Sequence, residues 1–71
     1  MEKFEKILYK FRGSYIQTIF DYVQTHALYG IRKDDALEAK RLLKEAGASR
    51  FRVVNNDFGL VIVCFKMKKG N

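Results

Sequence analysis

The sequence predicts an α+β fold of order ββαββ, a four-stranded antiparallel sheet with one helix on one face. Three observations predict it. The stretch KDDALEAKRLLKEAGA carries one amphipathic helical pattern with a start and a stop. Behind it, two apolar runs flank the turn-forming NNDFG, and ahead of it two stretches rich in aromatic and β-branched residues flank Gly13-Ser14.

The first hairpin follows from that loop. A two-residue Gly13-Ser14 connection sets Phe11 opposite Ile16, Leu8 opposite Ile19, Ile7 opposite Phe20 and Lys6 opposite Asp21. Residues 15–25 are dominated by Tyr, Ile, Thr, Phe and Val, which favour a pleated strand over a helix. The same residues admit a second reading. Phe4, Ile7, Leu8 and Phe11 keep helical spacing, Ser14 can cap a further helix, and Ile16, Ile19, Phe20, Val23 and Ala27 repeat the pattern. That alternative is winged-helix-like, with three helices and a C-terminal hairpin.

The central helix is the plainest element. Asp35 is placed to cap it, with Glu38 three residues on completing a capping box. Ala36, Ala39, Leu42, Leu43 and Ala46 form one apolar stripe, and Gly47 supplies the left-handed residue that ends the helix. The segment Gly30 to Ala48, with its Lys-Asp-Asp-Ala start and Ala-Gly-Ala exit into a strand, resembles the last helix of the C-terminal domain of the bacterial ribosomal stalk protein. The chain departs from that family on both sides of the segment, so the likeness implies a helix leading into a strand and no function.

The second hairpin joins SRFRVV to LVIVCFK. Phe51 and Val53 alternate with Arg50 and Arg52, whereas Leu60 to Phe65 is apolar at every position and therefore expects cover on both faces. One helix covers one face of a small sheet. A second copy of the chain, as a homodimer through the sheet, is one candidate for the other.

A chain of 71 residues with no proline, no repeat and no linker is expected to form one domain, residues 1–71. Its 48% hydrophobic content is too high for a disordered chain. The single cysteine, Cys64, excludes an intrachain disulfide, and with His26 the sole histidine the soft ligands are too few for a structural zinc site. The N-terminus lacks the uninterrupted apolar run of a signal peptide or a membrane span. A cytoplasmic protein without cofactor or metal is expected.

No residue pattern carries catalysis. A nucleophile would need His26 as its base, Cys64 lies in an apolar run where it packs as a small hydrophobe, and the Asp34-Asp35 and Glu38-Glu45 pairs suit capping and a solvated helix face. Charge is the stronger signal. The formal net charge is +6, concentrated toward the two ends of the chain.

On the ββαββ model, the face away from the helix is basic and apolar together, which points to a non-enzymatic binding module. The expected contacts are Lys6, Lys10, Arg12, Tyr15, Arg50, Arg52, Lys66 and Lys68, with cations pairing phosphates and Tyr15 stacking a base. Phe58, at the tip of the second hairpin, either folds back on the sheet or anchors a partner. Nucleic acid is the first candidate partner. The alternative is an acidic protein surface, bound by an inhibitor or adaptor of the phage or mobile-element type; a membrane is not expected.

Overall fold

A computed structural model describes residues 4–19 and 25–67. Four antiparallel strands form one sheet: β1 (Tyr15–Ile19), β2 (Thr25–Arg32), β3 (Ala48–Asn55) and β4 (Leu60–Met67). The spatial order is β1-β2-β4-β3. Helix α2 (Ala36–Glu45) links the hairpins, and a short helix α1 (Glu5–Lys10) precedes them. The predicted ββαββ sheet is therefore present, with α1 added in front of it.

The first hairpin forms from other residues than the sequence suggested. Residues 6–12, expected as its outer strand, are α1 and the turn after it. The new partner for Tyr15–Ile19 is Thr25–Arg32, in a register that sets Tyr15 opposite Tyr29, Ile16 opposite Leu28 and Thr18 opposite His26. The helical spacing of Phe4, Ile7 and Phe11 decides α1, because that spacing puts Phe4 and Ile7 into the core, at 2% and 1% exposure. The pairings expected for Phe20 and Asp21 lie outside the described residues.

Both helices lie on the same face of the sheet. Phe4 and Ile7 from α1, Ala39 and Leu43 from α2, Leu28 and Ile31 from β2, and Val61, Val63 and Phe65 from β4 close one core. The predicted stripe of α2 is the buried one: Ala39 and Leu43 are fully buried, and Ala36, Leu42 and Ala46 pack against them. Each large side chain buried in this way contributes about 1.5–3 kcal/mol.

Gly47, at φ +101°, ends the helix as expected. Its start differs. Asp35 occupies the N-cap position but makes no side-chain capping bond, because a 3₁₀ turn, Lys33–Asp35, leads into the helix. Glu38 serves elsewhere, pairing with Arg41 on its own helix and, at 3.4 Å, with Lys10 of α1.

Two bulges shape the sheet. In β2, Tyr29 and Gly30 together oppose the stretch of β4 between Val61 and Val63. Gly30 is required there: its φ is +81°, and a Cβ on it would meet the Gly13 carbonyl oxygen at 2.8 Å. This close approach seats the α1–β1 turn on β2. In β3, Arg50 and Phe51 lie between the Ser49–Lys66 and Arg52–Cys64 pairs, and Arg50 adopts φ +54°.

Candidate functional site: the open face of the sheet

Strand alternation builds the surface. Val61, Val63 and Phe65 of β4 point to the helices, so Leu60, Ile62, Cys64 and Lys66 point away from them. Strand pairing extends this set into rows. Gln17, Ala27, Cys64 and Arg52 run across all four strands. Tyr15 lies opposite Tyr29, Val54 opposite Ile62, Ser49 opposite Lys66 and Arg32 opposite Leu60.

The two tyrosines are the most distinctive part of this face. Their rings stack with centroids 4.9 Å apart and planes 6° from parallel. Tyr15 keeps 53% of its surface exposed despite the stack. A stacked aromatic on an open strand row is a platform for another π system.

The electrostatics of the sheet are one-sided. No aspartate or glutamate occurs in β1, β2, β3 or β4, whereas those strands carry Arg32, Arg50, Arg52 and Lys66. Among the described residues the acids sit on the helices and in loops, where Glu38 pairs with Arg41 and Lys10, and Glu45 with Arg41 at 3.4 Å. The Arg41 guanidinium beside Glu38 holds its carboxyl below the usual carboxylate range, with Lys10 adding to the effect. Part of the charge on the helical layer is thus paired within that layer. The strands carry positive charge with no carboxylate of their own to offset it.

The predicted contact residues separate into groups. Tyr15, Arg52 and Lys66 share the open face, as expected. Lys6 and Lys10 do not, because they belong to α1 on the other layer, and Arg12 lies in the turn after α1. Leu8, between them on α1, packs against the core. Arg50 sits in the β3 bulge, outside the regular alternation. Lys68 lies outside the described residues.

Phe58 does not fold back on the sheet. It stands 98% exposed at the tip of the β3–β4 loop, with φ +59°. Cys64 is half-buried on the open face rather than enclosed in the core. His26 faces the helices, stacked on Phe65 at 5.5 Å and hydrogen-bonded to the Thr18 hydroxyl at 2.9 Å, which gives it a packing role.

Tyr29 and Arg32 are the members of the face that the sequence reading missed. The signal was available in the THALYGIR stretch, where Ala27, Tyr29 and the glycine of a bulge lie on one strand.

Among the described residues, no group of His, Cys, Asp or Glu is placed to hold a metal ion, and no helix is long and apolar enough to cross a membrane. Comparison with known proteins adds no relative: no family model, no curated protein and no solved structure matches the chain.

Proposed function

We propose that this protein is a non-catalytic binding module that holds single-stranded nucleic acid on the open face of its sheet. The observation that carries the reading is the half-exposed Tyr15 ring, stacked on Tyr29 in a sheet whose strands carry cations and no carboxylate. Single strands are bound in this way: bases stack on aromatic side chains while lysines and arginines track the phosphates. Arg52 and Lys66 lie on the same face as the tyrosines and supply that second element. Duplex recognition by an inserted helix fits less well, because Asp34, Asp35, Glu38 and Glu45 crowd α2 and its approach.

The test is fluorescence anisotropy of labelled single-stranded DNA, RNA and duplex DNA at low and physiological salt, with the Arg52→Glu/Lys66→Glu variant alongside. Binding of single strands is expected, with an affinity that falls linearly with salt in log–log terms and drops on charge reversal. Affinity unchanged by the reversal, or no binding even at low salt, overturns the reading.

A second reading rests on Phe58. A fully exposed aromatic at a hairpin tip is the kind of residue that anchors a protein interface. An adaptor or inhibitor bound to an acidic protein surface would use it together with the basic sheet, and a second copy of the chain could cover the open face. A shallower salt dependence than strand binding gives, with a large loss on Phe58→Ala, would favour this reading. A cytoplasmic location suits either function and accords with the free thiol of Cys64.

A further inference from the structure

Where the end of α1 meets β2 lies a cleft of about 200 Å³ lined by Lys10, Phe11, Arg12, Gly30, Arg32 and Asp35. Three elements converge on it: the end of α1, the turn that follows, and β2 where it runs into the 3₁₀ turn. Gly30 brings them together, since only a residue without a side chain lets the Gly13–Ser14 backbone approach β2 so closely.

The lining is positively charged, with three cations against one carboxylate. Among the described residues, neither Arg12 nor Arg32 forms an ion pair. Lys10 is held by Glu38 at 3.4 Å on the α2 side and is 53% exposed. Guanidinium groups bind phosphate bidentately, and two that form no ion pair line this cleft.

We propose that this cleft is a phosphate site, in which Arg12 and Arg32, supported by Lys10, take one phosphate of the strand whose base stacks on Tyr15. The assignment rests on the nucleic-acid reading above and extends it. Gly30 in the cleft follows Tyr29 directly in β2, and Arg12 precedes Tyr15 by three residues, so the stacking platform and the cleft are built from adjoining stretches of chain. A base on Tyr15 and a phosphate in the cleft can then belong to one stretch of strand. Asp35, the one carboxylate in the lining, limits how much negative charge the site accepts.

Two measurements test it. Isotope-labelled protein is titrated with inorganic phosphate, and with sodium chloride at equal ionic strength. Saturable amide shifts confined to Arg12, Gly30 and Arg32, and lost in Arg12→Ala/Arg32→Ala, are expected. Shifts no larger than those from chloride, or spread evenly over the other basic residues, overturn the site. Both arginines are exposed, and the amide spectrum of the variant shows directly that it folds.

The second measurement is the salt dependence of oligonucleotide affinity in the same double variant. The log–log slope should fall by about 0.7 for the one phosphate released. An unchanged slope in a protein that still binds strands overturns the cleft and leaves the sheet-face reading intact. Phosphate that saturates the cleft in a protein that ignores oligonucleotides does the reverse: it overturns the sheet-face reading and the strand as the phosphate's source, leaving a site for a free phosphate or phosphomonoester.

Discussion

Tyr15 and Tyr29 stack across the β1–β2 pair with their rings 6° from parallel, and only the strand register makes this possible. Directly opposed residues of an antiparallel pair bring their side chains together on one face. Tyr29 stands on the inner strand β2 and backs the ring of Tyr15, which stands on the edge strand β1 with half of its surface exposed.

Substitution of Tyr15 therefore separates fold from function. Tyr15→Ala is expected to weaken single-strand binding by about 5- to 150-fold, the equivalent of about 1–3 kcal/mol of base stacking, while Tyr15→Phe keeps most of the affinity. Unfolding in urea should show a cooperative transition for the alanine variant, with a loss of about 0.5–1.5 kcal/mol from the aromatic pair on top of the burial of the covered half of the side chain. A stability loss without a change in affinity would mean that the ring is packing and nothing more.

Gly30 is the hinge on which both the cleft and the sheet edge depend. Gly30→Ala adds a methyl group 2.8 Å from the Gly13 carbonyl oxygen in a backbone with φ +81°. The left-handed strain alone costs about 1–2 kcal/mol, and relief of the clash requires the α1–β1 turn to move. Gly13→Ala is the matched control, because its φ is +86° but no atom lies within 4 Å of the added Cβ. Denaturant midpoints should rank wild type above Gly13→Ala, and Gly13→Ala above Gly30→Ala. Equal losses in the two variants would show that the close approach carries no energetic weight.

How far the chain could be read in advance depended on whether local signals competed. Around α2 they agree: periodicity, the Gly47 stop and the following Asn-Asn-Asp-Phe-Gly loop lead to the helix and hairpin that form. At the N-terminus they conflict. Phe4, Ile7 and Phe11 have helical spacing, yet Tyr15 to Ile19 is β-branched and aromatic, and the chain follows each signal over its own stretch. The hairpin reading assumed that one tight turn joined two strands, whereas Gly13-Ser14 joins a helix to a strand. Thr25–Arg32 was hidden because the β2 bulge breaks its alternation at Gly30. The open face was legible at Tyr15, Arg52 and Lys66, and not at Tyr29 or Arg32, which depend on that strand.

Glu38 ties the two helices together and gives the protein an acid-sensitive contact. Its carboxyl is held below the usual range by the Arg41 hydrogen bond first and by Lys10 after it. A lowered folded-state value means that the contribution is fully present above the unfolded glutamate value of about 4.3. It is lost as the pH falls below that point through the folded value. Glu38→Gln should accordingly be less stable than wild type at neutral pH, with the difference closing in acid. Because both partners are solvent-exposed, the difference is small and shrinks in high salt. A gap that persists unchanged into acid would assign the effect to helix propensity or packing.

Phe58 poses the opposite case, a residue whose own conformation works against the fold. It adopts φ +59° with 98% of its surface exposed, so it pays the left-handed penalty of about 1–2 kcal/mol with no burial to offset it. Asparagine tolerates that conformation far better than a bulky aromatic. Phe58→Asn is therefore expected to raise the unfolding midpoint by about 1 kcal/mol equivalent, with an unchanged denaturant slope. A loss of stability instead would show that the ring makes an intramolecular contact in solution. The same variant tests what the ring is for. If the stabilised protein binds single strands as wild type does, Phe58 has no part in that interface and is free to serve a protein partner. If affinity falls while stability rises, the strained aromatic belongs to the binding surface, in the way functional residues are retained at a cost to the fold.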